Sequence, residues 1–216
     1  MKYGEGTFDI LYLLFAIGTG LHLLSKRRER IGSLMGLAAL ILGCGDAFHL
    51  VPRVLNYFVN ADFTAALGLG KLVTSITMTV FYFLMYLLWL RLYRVKADTK
   101  RDALILLLAA ARVLLCLLPQ NRWLQNESSV LWGIIRNIPF TALGALIVVY
   151  YYRLRNEIPQ FCRVWLYVTL SFLFYLPVAV AAGLLPILGM LMLPKTVCYV
   201  LILIVFLRYA KRGTAR

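Results

Sequence analysis

The chain has 216 residues, of which 62% are hydrophobic and only 15% charged, against an apolar share of about 45–50% in soluble domains. This composition excludes a soluble globular domain and describes an integral membrane protein whose first partner is the lipid bilayer. A formal net charge of +14 would point to nucleic acid in a soluble chain, but the location of the charge assigns it to the membrane surface, so no nucleic-acid partner is expected.

Seven apolar segments of spanning length, about 20 residues each, run approximately over 8–24, 31–55, 66–90, 102–119, 130–152, 162–183 and 188–208. The opening MKYGEG lacks the cationic region and cleavage site of a signal peptide, so the first span is expected to stay in the mature chain. The predicted fold is all-α, one polytopic domain over 1–216 with seven transmembrane helices, and the spans set no oligomeric state. Between the spans, SKRRER (25–30), RLYRVKADTKR (91–101), the segment 153–163 and the tail from Arg208 hold 16 of the 23 Lys and Arg. The positive-inside rule makes these connections cytoplasmic and places the amino terminus outside, the carboxyl terminus inside, with the plasma membrane as the expected location. Asn126-Glu127-Ser128, a formal glycosylation sequon, then falls on the outer side.

Within the second span, residues 45–53 read GDAFHLVPR. At about 100° per residue, Asp46, His49 and Arg53 fall within about 60° of one another on one helix face. Hydrocarbon penalises such groups by roughly 2.5 kcal/mol or more unless they are paired or wet, which makes them a functional-site hypothesis. Further bases lie in or at the edges of other spans: Lys71, Arg112, Arg136 and Lys195. Counting about 1.5 Å per residue from the inner helix ends puts Arg112 near the midplane and Asp46 and Lys195 about 20 Å up. His49, Arg136, Arg53 and Lys71 then lie progressively nearer the outer surface. One outward-opening, water-accessible pocket with five bases and one acid is the expectation, and it should favour anions. Ser75 and Tyr82 extend it along the third helix, Tyr199 along the seventh, and Tyr167, Ser171 and Tyr175 repeat the pattern on the sixth. Pro52 and Pro177 are candidate hinges, since each removes a backbone donor from its helix.

Each of these residues also has a structural reading. Asp46, too short to reach the surface, needs a cation or water, and Lys195 is the nearest base by depth, so the two form a candidate ion pair. Arg53 and Lys71 can snorkel to headgroups. Cys44, Cys116, Cys162 and Cys198 lie in or beside apolar spans without a CxxC, and neither histidine has metal-ligand spacing, so no metal and no cofactor is expected. Three functions remain: a small-solute transporter or receptor for a carboxylate or phosphate, a membrane enzyme acting on lipid headgroups with His49 as a base oriented by Asp46, and a structural or partner-binding subunit.

One shift of the numbering lays Arg28 on Arg153, Arg30 on Arg155 and Pro52 on Pro177, with Lys71 one position from Lys195. This predicts two parallel three-helix repeats, about 1–95 and 126–216, separated by a linker helix at about 102–119. On these correspondences and the sidedness of its spans, the chain resembles in architecture the seven-helix superfamily of SWEET and PQ-loop transporters, KDEL-type receptors and opsins. The resemblance implies a solute or ligand site among the helices. PQ-loop families are expected to carry Pro-Gln within the first and fifth helices, whereas here Pro119-Gln120 ends the fourth and Pro159-Gln160 lies in a loop.

Overall fold

Lipid offers no hydrogen bonds to an exposed backbone, so a chain this apolar must satisfy its peptide groups within each segment, as helices do. The computed structural model describes residues 2–25, 30–126, 129–181 and 185–213, and among these there is no strand. Seven helices follow in chain order: α1 Lys2–Ser25, α2 Arg30–Phe58, α3 Thr64–Leu92, α4 Thr99–Leu117, α5 Val130–Arg153, α6 Val164–Ala181 and α7 Met192–Gly213. Single 3-10 turns occupy Pro119–Asn121, Trp123–Gln125 and Pro159–Phe161, and a longer one Pro186–Leu191. Glu127 and Ser128 of the sequon and Arg28 of the numbering correspondence lie outside the described residues.

Among the described residues six helices are long and apolar enough to cross a membrane, and the count reaches seven if α4 and the turns after it form one broken span. The break is local chemistry: the residue before a proline is pushed out of the helical region, and Leu118, ahead of Pro119, is extended at φ −66° and ψ 138°. The chain bends there by 66°. α2 and α3, at 29 residues each, are about 43 Å long at 1.5 Å per residue, more than the roughly 30 Å of hydrocarbon. Side chains take up exposed amide donors at three helix starts. Asp98 Oδ1 accepts from the Lys100 and Arg101 amides at 3.0 and 3.4 Å, Ser129 Oγ from the Trp132 amide at 3.3 Å, and Asp62 Oδ1 from the Thr64 amide at 2.9 Å. Those bonds from Thr64 hold the exposed Asp62 carboxyl below its ordinary range.

Each helix packs on its chain neighbour, and α7 closes the arrangement against α1 and α2. α3 and α5 touch directly, with α4 packed on both and its Leu104, Leu107, Leu114 and Leu117 turned outward. Phe81, Met85 and Leu88 of α3, Leu143 and Ile147 of α5, and Ile202, Leu203 and Phe206 of α7 are fully buried between them. Two glycines set how closely the site-bearing elements meet. A Cβ on Gly70 would lie 2.2 Å from the Phe48 carbonyl oxygen and 2.7 Å from His49 Cα, so only glycine lets α3 press against α2 at that level. The Phe48 carbonyl is the one that Pro52 leaves without an in-helix donor. A Cβ on Gly68 would lie 1.5 Å from the Trp123 carbonyl oxygen, which seats the 118–126 segment as a strap across the start of α3.

Candidate ligand site

A cavity of about 570 Å³ opens at one end of the bundle, where α2, α4 and α6 finish and α3, α5 and α7 begin. Six of its lining residues are His49, Arg53, Lys71, Arg112, Arg136 and Lys195, and no Asp or Glu lines it among the described residues. Ser75 and Tyr199 also face it. Its apolar surface comes from Met78, Phe140, Tyr175, Val178, Val180 and Met192.

Arg112 lies five residues before the broken end of the leucine-rich α4. It is 1% exposed, donates through Nη1 to the Arg136 carbonyl, and places its guanidinium 5.1 Å from the centre of the Phe140 ring. Its Nε has no hydrogen-bond partner. Arg136, on the second turn of α5, donates to Asn121 Oδ1 at 2.8 Å and stacks 4.5 Å from the Trp123 ring. The strap holds both partners by closing the broken end of α4. Asn121 Nδ2 donates to the Leu115, Cys116 and Leu118 carbonyls at 2.7, 3.3 and 2.9 Å, and the Trp123 indole to Cys116 at 2.7 Å. Lys71 Nζ donates to Asn126 Oδ1 of the same strap at 2.7 Å. Lys195, 5% exposed, sits between the Tyr175 and Tyr199 rings, 5.0 and 5.4 Å from their centres. Lys71, Arg112 and Lys195 form no ion pair among the described residues.

The acid the sequence singled out is placed otherwise. Asp46 is buried, 8% exposed, but does not line the cavity, and its Oδ2 accepts the Tyr12 hydroxyl of α1 at 2.7 Å. The anticipated Asp46–Lys195 ion pair is therefore corrected: the two are not in salt-bridge contact, and the nearest partner comes from α1. Counting along helices gave depth but not the neighbour across the gap. His49 lines the cavity with its Nδ1 buried and unpartnered, so Asp46 does not orient it as the enzyme reading required. Arg53 is neutralised by Glu5 of α1, with Tyr57 bonded to both, at 3.2 Å from Arg53 Nε and 3.0 Å from Glu5 Oε2. Tyr82 lies beneath the floor: its hydroxyl meets Ser171 Oγ at 3.0 Å, and its ring packs on Phe140 and Phe172. Ser75 faces the cavity while its hydroxyl donates to the Lys71 carbonyl at 2.8 Å. Pro52 and Pro177 lie inside continuous helices, as does Pro139 of α5, which sequence reasoning did not single out.

Sequence reasoning also missed Asn121 and Trp123, and took Asn126 only as part of a glycosylation sequon. The asparagines beside the proline break were the available signal. A second buried acid, Asp9 of α1, is 3% exposed with Oδ2 unpartnered. Comparison with protein-family models, curated proteins and solved structures finds no match for this chain. The class defined here is a helical membrane protein with a base-lined cavity at one end of its bundle.

Proposed function

We propose that the protein is a small-solute transporter or receptor that binds a carboxylate or phosphate group in this cavity. One observation carries the reading: five Lys and Arg and one His line a single cavity, no described acid is among its lining residues, and Glu5 answers only Arg53. Like charges brought together at membrane depth repel one another and lose hydration, and an anion relieves both costs. Arginine forks suit carboxylate and phosphate oxygens. In the same proposal α4 and its turns form a seventh span, and the amino terminus and cavity face the outside of the plasma membrane. Support for that sidedness comes from Arg30, Arg91, Arg101, Arg153 and Arg163, which lie at or beside the opposite helix ends. Two three-helix repeats agree with the order of contacts, since within α1–α2–α3 and within α5–α6–α7 each helix packs on the next, and the two sets meet through α3 with α5 and α7 with α1. Pro52 and Pro177 mark the helices that bend.

Titration calorimetry of the purified protein with phenylacetate, succinate and inorganic phosphate tests the binding. At least one should bind, and Arg112→Ala combined with Lys195→Ala should weaken it at least about tenfold, a loss of 1.4 kcal/mol or more. Equal binding by wild type and double variant, or no binding of any anion, overturns the reading. Uptake of the bound anion into proteoliposomes separates transporter from receptor.

A further inference from the structure

We infer that the anion is a phosphate monoester with an apolar organic part, an inference that rests on the anion-binding reading and names its ligand class. The bases form one linked cluster instead of two separate foci. Lys71 lies within Coulombic range of Arg136 and Arg53, His49 of Lys71, Arg53 and Lys195, and Arg136 of Arg112. They approach from α2, α3, α4, α5 and α7, so they surround the space. A dicarboxylate holds its two charges apart and matches two foci, and a monocarboxylate brings a single charge in one plane. A phosphate monoester concentrates a charge of about −1.5 to −2 on three oxygens that point in different directions, as a surrounding cluster requires. With Glu5 already on Arg53, the bases without an ion-pair partner, Lys71, Arg112 and Lys195, still exceed one negative charge.

Arg112 and His49 line this space, and each carries a buried side-chain nitrogen without a partner, Arg112 Nε and His49 Nδ1. A turn of the guanidinium would let the first donate to a phosphate oxygen. The second accepts the O–H of the monoprotonated ester or, when protonated, donates to the dianion. Inorganic phosphate would answer the charge but leave Met78, Phe140, Val178 and Met192 against water. The cavity volume of about 570 Å³ falls in the range, roughly 300–1,000 Å³, of sites that enclose an organic ligand. An apolar or aromatic ester group fills that part.

The same headgroup chemistry occurs on a lysophosphatidate and on a soluble phosphomonoester, and one experiment addresses both. Binding to the full chain in nanodiscs is measured for phenyl phosphate, lysophosphatidate, inorganic phosphate, phenylacetate and succinate, with wild type and Lys71→Gln. Lys71 is exposed, so its substitution leaves the packed core untouched. Phenyl phosphate or lysophosphatidate should bind at least about tenfold tighter than phenylacetate, succinate or inorganic phosphate, and Lys71→Gln should weaken that ligand about threefold or more. Tighter binding of phenyl phosphate assigns a soluble source, and tighter binding of lysophosphatidate a lipid one. Phenylacetate or succinate binding as tightly as either monoester overturns the phosphate inference and leaves the anion reading standing. Inorganic phosphate binding as tightly overturns the apolar part, and unchanged affinity in Lys71→Gln overturns the clustered headgroup site. Failure of all five ligands to bind overturns both readings.

Discussion

Arg101 and Arg112 sit about three turns apart on the same helix and have opposite surroundings. Arg101 donates to the Tyr86 hydroxyl at 2.7 Å, to Asp102 Oδ1 at 3.1 and 3.2 Å and to the Lys96 carbonyl at 2.9 Å, with the Trp89 ring 5.4 Å away. Tyr86 donates to Asp102 in turn, and Trp89 stacks on Tyr150 at 4.8 Å. That cluster is closed: its charge has a carboxylate, and its donors have acceptors. Arg112 has a backbone carbonyl, a Phe ring and an open Nε, with Lys71, Arg136 and Lys195 around the same cavity. A basic residue on one of these helices is thus a structural fixture where its partner is built in. Where the surrounding residues are further bases, it is a ligand-site candidate.

The largest expected effect tests whether the strap completes the open end. In Gly68→Val even the Cβ would overlap the Trp123 carbonyl, so the strap must lift and carry Asn121 away from Arg136. Overpacking of this kind costs about 1–3 kcal/mol, and more where backbone must move. Thermal unfolding in detergent should show the loss, together with loss of anion binding. Wild-type unfolding would mean that the strap is not seated on α3.

A smaller effect, and one of opposite sign at the two ends, comes from replacing each arginine with methionine. Arg112→Met removes a buried charge without stranding a carboxylate, at the cost of one hydrogen bond to the Arg136 carbonyl. Its unfolding temperature should hold or rise while anion affinity falls at least about tenfold. Arg101→Met removes a partly exposed ion pair and the bonds to Tyr86 and the Lys96 carbonyl, and should lower the unfolding temperature slightly without touching anion affinity. If both variants lose stability alike, the contrast between closed and open clusters fails.

What could be read from the sequence divides along the same line. Spans and depths depend on hydropathy and on a fixed rise per residue, and these two quantities suffice to place the stretch of Asp46, His49 and Arg53 near one end of the bundle. Partners depend on helix rotation and on which helices adjoin, and neither is periodic in one chain. Glu5, Asp9 and Tyr12 recur at i, i+4 and i+7 on one face of α1, and this stripe was the available signal for the partners of Arg53 and Asp46. What the sequence withheld was that α1 turns that face to α2. The strap was opaque for another reason. Its asparagines and tryptophan act on carbonyls exposed by the break at Leu118, and an end exposed by a bend is visible only once the bend is known.

The smallest expected effect concerns the acid on which the two readings of this stretch differ. Tyr12→Phe removes the donor to Asp46 Oδ2 and leaves a buried oxygen unpartnered, at about 1–3 kcal/mol. Asp46→Leu removes the acceptor as well, so the Tyr12→Phe/Asp46→Leu double variant should cost less than the sum of the singles, with a coupling of roughly 0.5–3 kcal/mol. Lys195 acts on Asp46 only through space, with two aromatic rings as its own neighbours. Asp46→Leu and Lys195→Met should therefore combine with a coupling below that of the tyrosine pair, within about 0.5 kcal/mol of additivity. Equilibrium unfolding of the two double-mutant cycles decides the matter. A larger coupling to Lys195 than to Tyr12 would restore the interhelical ion pair between α2 and α7, take one base out of the cavity's unpaired set, and move that end of the bundle toward the closed arrangement around Arg101.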